Sequence, residues 1–353
     1  MGARGPTLAD VAQAAGVSVS TASLAFSGAG PITATTRQKV LDAAAALSYV
    51  GPNPLGRQLR SGRSGIVGVV LGDALRRAFR DPVSIQVLDG LVQTLGPLGL
   101  GVLLVPAVDD AGEPRADPLL ESAGMDVAVL FSGGRADDSS RVTLDRRGVP
   151  VVVIEGDPPE HGALIGVDDR GGMADLARRL RALGHERIAV VALPFGGDRR
   201  EGVADAERQA DIRWLVTERR LAGIREGGVE PVVVWETPAS LVEHGAAAGR
   251  ALLTGPDRPT AVIALSDLLA SGVVLAAREL GLRVGHDVSV AGIDGLDLPW
   301  LAPDVLTSVD QPLRLKGESV GLAAAELLAG GSPEPLVLPV SFREGTTTGP
   351  APS

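Results

Sequence analysis

Residues 7–27, Thr7-Leu8-Ala9-Asp10-Val11-Ala12-Gln13-Ala14-Ala15-Gly16-Val17-Ser18-Val19-Ser20-Thr21-Ala22-Ser23-Leu24-Ala25-Phe26-Ser27, decide the fold of the N-terminal part. Thr7 stands three residues ahead of Asp10 in a capping-box pattern. Its hydroxyl can accept from a first-turn amide while the Asp10 carboxylate reaches back to the Thr7 amide. A helix is expected from Leu8 to Ala15. Gly16 supplies the backbone for a sharp turn and Ser18 can cap a second helix from Val19 to Ser27. The small Ala12, Ala15, Ala22 and Ala25 let the two helices cross closely. A third helix, Ala34 to Leu47 behind a Thr33 cap, offers Val40, Ala44 and Leu47 as its apolar stripe. Together these make an all-α helix-turn-helix head of residues 1–50.

Working outward, residues 51–64 change to Gly, Pro, Arg and Ser without apolar periodicity, the mark of a linker. Pro54 can open a short helix, Leu55 to Arg60, that Gly62 stops. Gly56 inside it costs up to ~1 kcal/mol against alanine, so this hinge helix is expected to be marginal on its own. From Ile66 onward apolar runs alternate with amphipathic segments. The runs are Ile66–Leu71, Val102–Pro106, Val127–Phe131, Val149–Glu155, Leu164–Val167, Ile188–Leu193, Pro231–Trp235, Ala261–Leu265 and Val288–Ile293. Helical patterns between them include Ile85–Leu95, Met173–Leu183, Leu241–Leu253, Leu268–Leu280 and Leu315–Leu328. Strand then helix, repeated, implies parallel sheets covered on both faces. Roughly ten strands suit an α/β body, residues 65–353, of two doubly wound parallel-sheet subdomains better than one sheet. The charged stretch Gly196–Glu218 fits either a surface extension or the start of the following helix.

Composition narrows the function class. The 353 residues exceed what one core usually holds, and 45% apolar with 22% charged residues suits a globular chain. With no cysteine, disulfides, thiolate metal sites and thiol catalysis are out of reach. A reducing cytoplasm is compatible with that. No apolar stretch is long enough to span a membrane, and the start Met1-Gly2-Ala3-Arg4-Gly5-Pro6 leads into a polar-patterned segment, so a cytoplasmic location is expected. The net charge of −10 divides unequally: residues 1–64 carry +4 (Arg4, Arg37, Lys39, Arg57, Arg60 and Arg63 against Asp10 and Asp42), leaving −14 for the rest. A basic head on an acidic body points to a polyanionic partner for the head. There is no H-E-x-x-H pair, no P-loop, no G-x-G-x-x-G after the first strand, and the histidines lack metal-ligand spacing. Neither an enzyme nor a metal or nucleotide cofactor is implied.

The head is similar to that of the LacI/GalR (lactose- and galactose-repressor) family of bacterial transcriptional regulators. The similarity rests on Thr7 to Ala12, Ala15-Gly16-Val17-Ser18 and Thr21-Ala22-Ser23. It continues through Tyr49, Pro52-Asn53 and Leu59 to Ser64, Leu183-Gly184-His185-Glu186-Arg187-Ile188, Arg220-Leu221-Ala222-Gly223 and Ser266-Asp267. Asp287 to Asp294, Leu306 to Pro312 and Arg343 to Thr346 complete it. The resemblance implies a periplasmic-binding-protein-like body, a homodimer, and operator DNA as partner. It places the second helix in the major groove with Val19 and Ser20, and Leu24 beyond, facing base edges. Thr7, Ser18, Thr21, Ser23 and Ser27 belong near phosphates or at helix caps, and Asn53 lies with the hinge. Leu59 matches the leucine that wedges into the central base step from the minor groove. Many relatives carry Arg where Leu24 stands and Asn where Ser27 stands. The fork-like guanine contact is therefore missing, and readout is expected to rest on thymine methyls at Val19 and Leu24, on the hinge, and on DNA shape.

For the body, the resemblance implies a small-molecule effector, a sugar or sugar phosphate, in the cleft between the subdomains. Arg220, Asp267 and Asp294 carry over, with Glu155, Ser266 and Gln311. Asp and Arg suit polyols because each engages two hydroxyls. The loop Asp73–Asp81, with Arg76, Arg77 and Arg80, departs from relatives and would favour an acidic ligand if it reached the cleft. Plainer uses stand beside these. Arg220 reads equally as a surface arginine, Asp267 as the cap of the following helix, and Trp235 and Trp300 as packing. His185 and His286 read as turn residues, and Arg178, Arg179 and Arg181 as a solvated face. A solute-binding protein and a sugar-modifying enzyme use similar sheets; the first lacks a use for a basic head, the second lacks a catalytic constellation here. No leucine-heptad extension follows Arg343, so a dimer is expected over a tetramer.

Overall fold

The computed structural model describes residues 5–27, 30–51, 62–71, 78–106, 108–110, 113–115, 117–131 and 135–352. They form two compact units, Met1–Ser64 and Gly65–Ser353. The expected hinge helix, with Asn53 and Leu59, lies outside the described residues, as do Arg76 and Arg77.

In the first unit, α1 (Leu8–Ala15), α2 (Val19–Ser27) and α3 (Ala34–Ala46) pack around Val11, Ala12, Ala15, Ala22, Ala25, Val40 and Ala44. The capping box is present: the Asp10 amide donates to Thr7 Oγ1 at 3.3 Å and the Thr7 amide to Asp10 Oδ2 at 2.7 Å. Gly16 closes α1 in the left-handed region at φ +63°, a conformation a Cβ would strain. Ser18 Oγ accepts from the Thr21 amide at 3.1 Å and Thr33 Oγ1 from the Thr36 amide at 3.2 Å. Leu47 caps α3 and stays exposed instead of joining the stripe.

The body begins with β1 (Ile66–Leu71), α4 (Pro82–Leu95), β2 (Gly101–Pro106) and a hairpin of β3 (Val108–Asp110) with β4 (Glu113–Arg115). α5 (Leu119–Ser122), β5 (Val127–Phe131), α6 (Ser139–Arg146), β6 (Val151–Ile154) and β7 (Gly162–Val167) follow. Next come α7 (Asp169–Ala182), β8 (Ile188–Ala192), β9 (Gly202–Val203), α8 (Ala206–Ala210), α9 (Leu215–Glu226) and β10 (Val233–Glu236). Then come α10 (Val242–Leu253), β11 (Ala261–Ala264), α11 (Asp267–Glu279), β12 (Ser289–Asp294) and β13 (Thr307–Asp310), and the chain ends with α12 (Leu313–Leu328), β14 (Leu336–Leu338) and β15 (Ser341–Arg343). Two sheets result. One, of order β14-β7-β6-β5-β1-β2, is parallel throughout; the other, β15-β13-β12-β11-β8-β10-β9, is parallel except at its two edges. The body is thus two α/β subdomains, hereafter lobes, and the chain passes between them after β7, after β13 and after β14.

Strand periodicity explains the layering. In β5, Val127, Val129 and Phe131 face the α4/α12 layer, while Ala128 and Leu130 face the other side beneath Leu120 and Leu144. In the second sheet, Val190 and Ile263 face α7 and α9, and Ala189 and Val262 face α10 and α11. Each fully buried Leu or Ile contributes roughly 1.5–3 kcal/mol by leaving water. The charged Gly196–Glu218 stretch resolves into β9, α8 and the start of α9. It is held by Arg208, whose guanidinium bonds Glu236 at 2.6 and 2.7 Å and Asp198 at 2.7 Å.

Candidate effector cleft and DNA-reading head

The carboxyl ends of both sheets open onto one cleft, enclosing about 1110 Å³ with its solvent-filled mouth. Open parallel sheets place ligands at such ends. In the first lobe the wall runs from Glu155 after β6, through Phe131 at the end of β5, to Leu71 at the end of β1. In the second it runs from Asp294 at the end of β12, through Ser266 after β11, to Leu193 and Pro194 after β8. Both walls therefore grade from polar to apolar across the sheet.

Two acids anchor the polar end in unusual backbone. Glu155 has φ +58° and Asp294 φ +139°, a region L residues rarely adopt and one that often marks functional sites. Lys316 on α12 donates to Glu155 Oε1 and to Gln311 Oε1, both at 2.9 Å. Gln311 Nε2 passes the chain on to Asp294 Oδ1 at 2.8 Å. Arg220, buried on α9, donates Nη1 to the Leu265 carbonyl at 2.6 Å and lies 3.7 Å from Asp294 and 3.6 Å from buried Asp169. Arg219 Nη2 reaches across the lobes to the Glu155 carbonyl at 3.0 Å. Burial pushes the Glu155 carboxyl up, but Lys316, Arg220 and Arg219 outweigh it and hold it below its usual value. Asp294 goes the other way: burial, with Asp267 and Asp81 nearby, raises it well above the ordinary range despite Arg220. Burial also raises Asp81, the cap of α4, whose carboxylate accepts from the Val83 amide at 3.0 Å.

Of the expected effector residues, Glu155, Arg220, Ser266, Asp294 and Gln311 share this cleft. Asp267 does not line it, a correction to the expected set. Its carboxylate accepts from Ser308 Oγ at 2.6 Å and the Leu296 amide at 2.8 Å, holding the turn after β12 to β13. Nor does Asp267 cap α11; Ser266 does, accepting from the Leu269 amide at 3.2 Å. Arg220 is buried, not a surface arginine. Sequence reasoning missed Lys316, Asp81 and Trp214. Lys316 had a signal, since it falls on the Leu313, Val320, Ala324 face that α12 buries. The loop before α4 brings Ala78 and Asp81 to the cleft, while Arg80 turns aside to pair with Glu243 at 2.7 Å. Trp235 packs against the core and Trp300 is exposed.

On the head, Ser18, Val19 and Ser20 are exposed at the start of α2, with Val19 at 51%. Ser18 Oγ lies 2.8 Å from the hydroxyls of both Ser20 and Thr21. Thr21 and Ser23 are half-buried, Thr7 caps α1, and the Ser27 hydroxyl donates to the Leu24 carbonyl at 3.3 Å. Leu24 is also half-buried, its methyl groups against Gly30, where an added Cβ would come within 3.1 Å of Leu24 Cδ2.

Residues 7–53 match the family of bacterial regulatory proteins, lacI family, and residues 177–348 a periplasmic binding protein-like domain. The chain is 33% identical to an HTH-type transcriptional regulator of Mycobacterium tuberculosis and 32% identical to the HTH-type transcriptional regulator IpsA of Corynebacterium glutamicum, with 98% of each chain covered in both cases. Among solved structures it is similar to the Lac repressor dimer bound to operator and the anti-inducer ONPF (TM-score 0.79, 25% identity, 98% of this chain and 100% of that one). It is also similar to the transcriptional regulator CelR in complex with cellobiose (TM-score 0.65, 26% identity, 97% and 99%). A capped helix-turn-helix and a two-lobed body with a polar-floored cleft thus occur together in one chain with relatives along its whole length, and the chain belongs to the LacI family as a DNA-binding transcriptional regulator, not an enzyme.

Proposed function

We propose that this regulator is a cytoplasmic repressor, a homodimer whose grip on operator DNA is set by a neutral sugar in the body cleft. The DNA side comprises the head, residues 1–50, and the hinge, residues 51–64, with Leu59 as the minor-groove wedge and Asn53 beside it. Val19 and Ser20 stand as the foremost groove readers. The effector side is the body, residues 65–353, with Glu155, Arg220, Ser266, Asp294 and Gln311 as contacts.

One observation carries the ligand reading: at the polar end of the cleft, buried carboxylates and buried cationic donors alternate, each cation already beside an acid. Hydroxyls both donate and accept, so a polyol fits between them, whereas a phosphate at this end would meet Asp81, Glu155 and Asp294, and the described cations there, Arg220 and Lys316, each already face an acid. This favours the neutral sugar over the sugar phosphate that the arginines of the Asp73–Asp81 loop suggested. The complex of CelR with cellobiose and the Lac repressor dimer on operator support the effector class and the assembly by similarity. An effector acts by binding one of two body conformations preferentially.

A salt-titrated gel shift with DNA flanking the gene, with and without a panel of neutral sugars, tests the proposal. Expected are a palindromic site bound well above random DNA, loss of binding on removing residues 1–64, and release by one sugar. Equal binding of random DNA by the full and shortened chains would overturn the regulator assignment at this site, and no response to any sugar would overturn the effector class.

A further inference from the structure

We infer that Lys316 is the specificity-determining residue of the cleft, its third ammonium N–H donating to one oxygen of the bound sugar while the Glu155 carboxylate beside it accepts from the neighbouring hydroxyl. The inference rests on the neutral-sugar reading above and adds a residue that reads a particular pair of ligand oxygens.

Lys316 is 2% exposed, on the face of α12 that otherwise buries Leu313, Val320 and Ala324. An ammonium so placed is costly unless its donors are matched, and an apolar residue would fill the same space without that cost. Two of its three donors are used, on Glu155 Oε1 and Gln311 Oε1. Among the described residues no acceptor takes the third, and the side chain lines the cleft. The two bonds also aim the head group. They fix the Gln311 amide with its oxygen toward Lys316 and its nitrogen toward Asp294, whose second oxygen accepts from the Asp267 amide at 3.2 Å. One chain of hydrogen bonds therefore runs from Glu155 in the first lobe to Asp294 in the second, and Lys316 is its one cationic link. Glu155 keeps Oε2 for a ligand. Donor beside acceptor, both preset, is the pattern that recognises adjacent oxygens on a sugar ring.

The test is a cycle between ligand and protein. Isothermal calorimetry with a panel of neutral hexoses and pentoses identifies the tightest sugar, and its monodeoxy derivatives are then titrated into the wild type and into Lys316→Met. We expect one deoxy position to cost the wild type about 10- to 100-fold, the worth of a hydrogen bond to a charged group, and to cost Lys316→Met less than about threefold. The other deoxy positions should cost both proteins alike. A merely structural lysine would weaken every sugar by the same factor, and strictly additive losses would overturn the inference while leaving the effector class standing. Absence of any sugar binding to the wild type would overturn both. Should Lys316→Met melt markedly lower, Lys316→Met combined with Glu155→Gln removes both charges together. In that protein two adjacent deoxy positions, the one read by Lys316 and the one read by Glu155, should lose their cost. A loss confined to a single position would assign the reading to Glu155 alone and overturn the inference, and additive losses at both would overturn it as well.

Discussion

His185 is tied on every side. Its Nε2 lies 3.0 Å from the Gly349 carbonyl, which can only accept, so Nε2 carries the proton; Nδ1, 3.0 Å from Thr260 Oγ1, then accepts from that hydroxyl. Burial lowers its pKa from 6.5, against the pull of the Gly349 carbonyl. The unfolded chain therefore takes up this proton more readily than the folded one. The stability it contributes is full above about pH 6.5, the unfolded value, and is lost as the pH falls from there through the lower folded-state value. Urea midpoints measured from pH 7.5 to 5 should drop more steeply for the wild type than for His185→Gln; parallel curves would sink this account. Residue-level legibility in the sequence follows the same physics. Glu155, Ser266, Arg220, Asp294 and Gln311 are recognisable because they end strands or sit in family motifs, whereas Lys316 shows only in its register, on the same helix face as Leu313, Val320 and Ala324. Asp267 misleads for the converse reason: an acid at a helix start reads as a ligand contact, but its bonds run inward to Ser308 and Leu296.

Helices in the body meet through glycine. A Cβ on Gly90 of α4 would sit on the Arg314 carbonyl of α12, and one on Gly317 of α12 on the Val87 carbonyl of α4. The pair α10 and α11 repeats the device at Gly245 and Gly272. Such close approach leaves no room for a methyl, so Gly317→Ala must push α12 outward and should lower stability by about 1–3 kcal/mol, read as a fall in melting temperature. An unchanged melting temperature would show that the helices can part at no cost. At this scale the sequence is most readable where one physical signal dominates. Ile66–Leu71 and Val127–Phe131 form strands with the limits their apolar runs suggest, α1 starts and stops at its capping residues Thr7 and Gly16, and α2 starts behind Ser18. β13 escapes such reading because Thr307, Ser308 and Asp310 look polar; their hydroxyls and carboxylate are spent on Asp267, Thr348 and Arg343 inside the body. β9 and β14 are too short to show a period, and α8 is set by the Arg208 pairing rather than by an apolar stripe.

The molecule as a whole divides its charge between head and body, with +4 on residues 1–64 and −14 on the remainder. A basic head suits phosphate contacts with a strong salt dependence, and an acidic remainder disfavours unspecific contact with DNA. The lobes themselves are stitched across the cleft by Arg219 to the Glu155 carbonyl, Arg80 to Glu243, and the chain through Lys316 and Gln311. Of these, the chain through Lys316 and Gln311 is the one whose side chains line the cleft.

The chain has three tryptophans, and their placement turns the cleft into an optical gauge of its own occupancy. Trp235 is packed against the core and Trp300 stands on the surface, and neither lines the cleft. Trp214 alone of the three lines the cleft, with the Arg199 guanidinium 5.9 Å from its ring centre. Expelling water from around that indole should shift the intrinsic emission of the full-length protein to the blue as effector is added. Trp214→Phe should abolish the shift, and a shift that survives the substitution would place the ligand elsewhere.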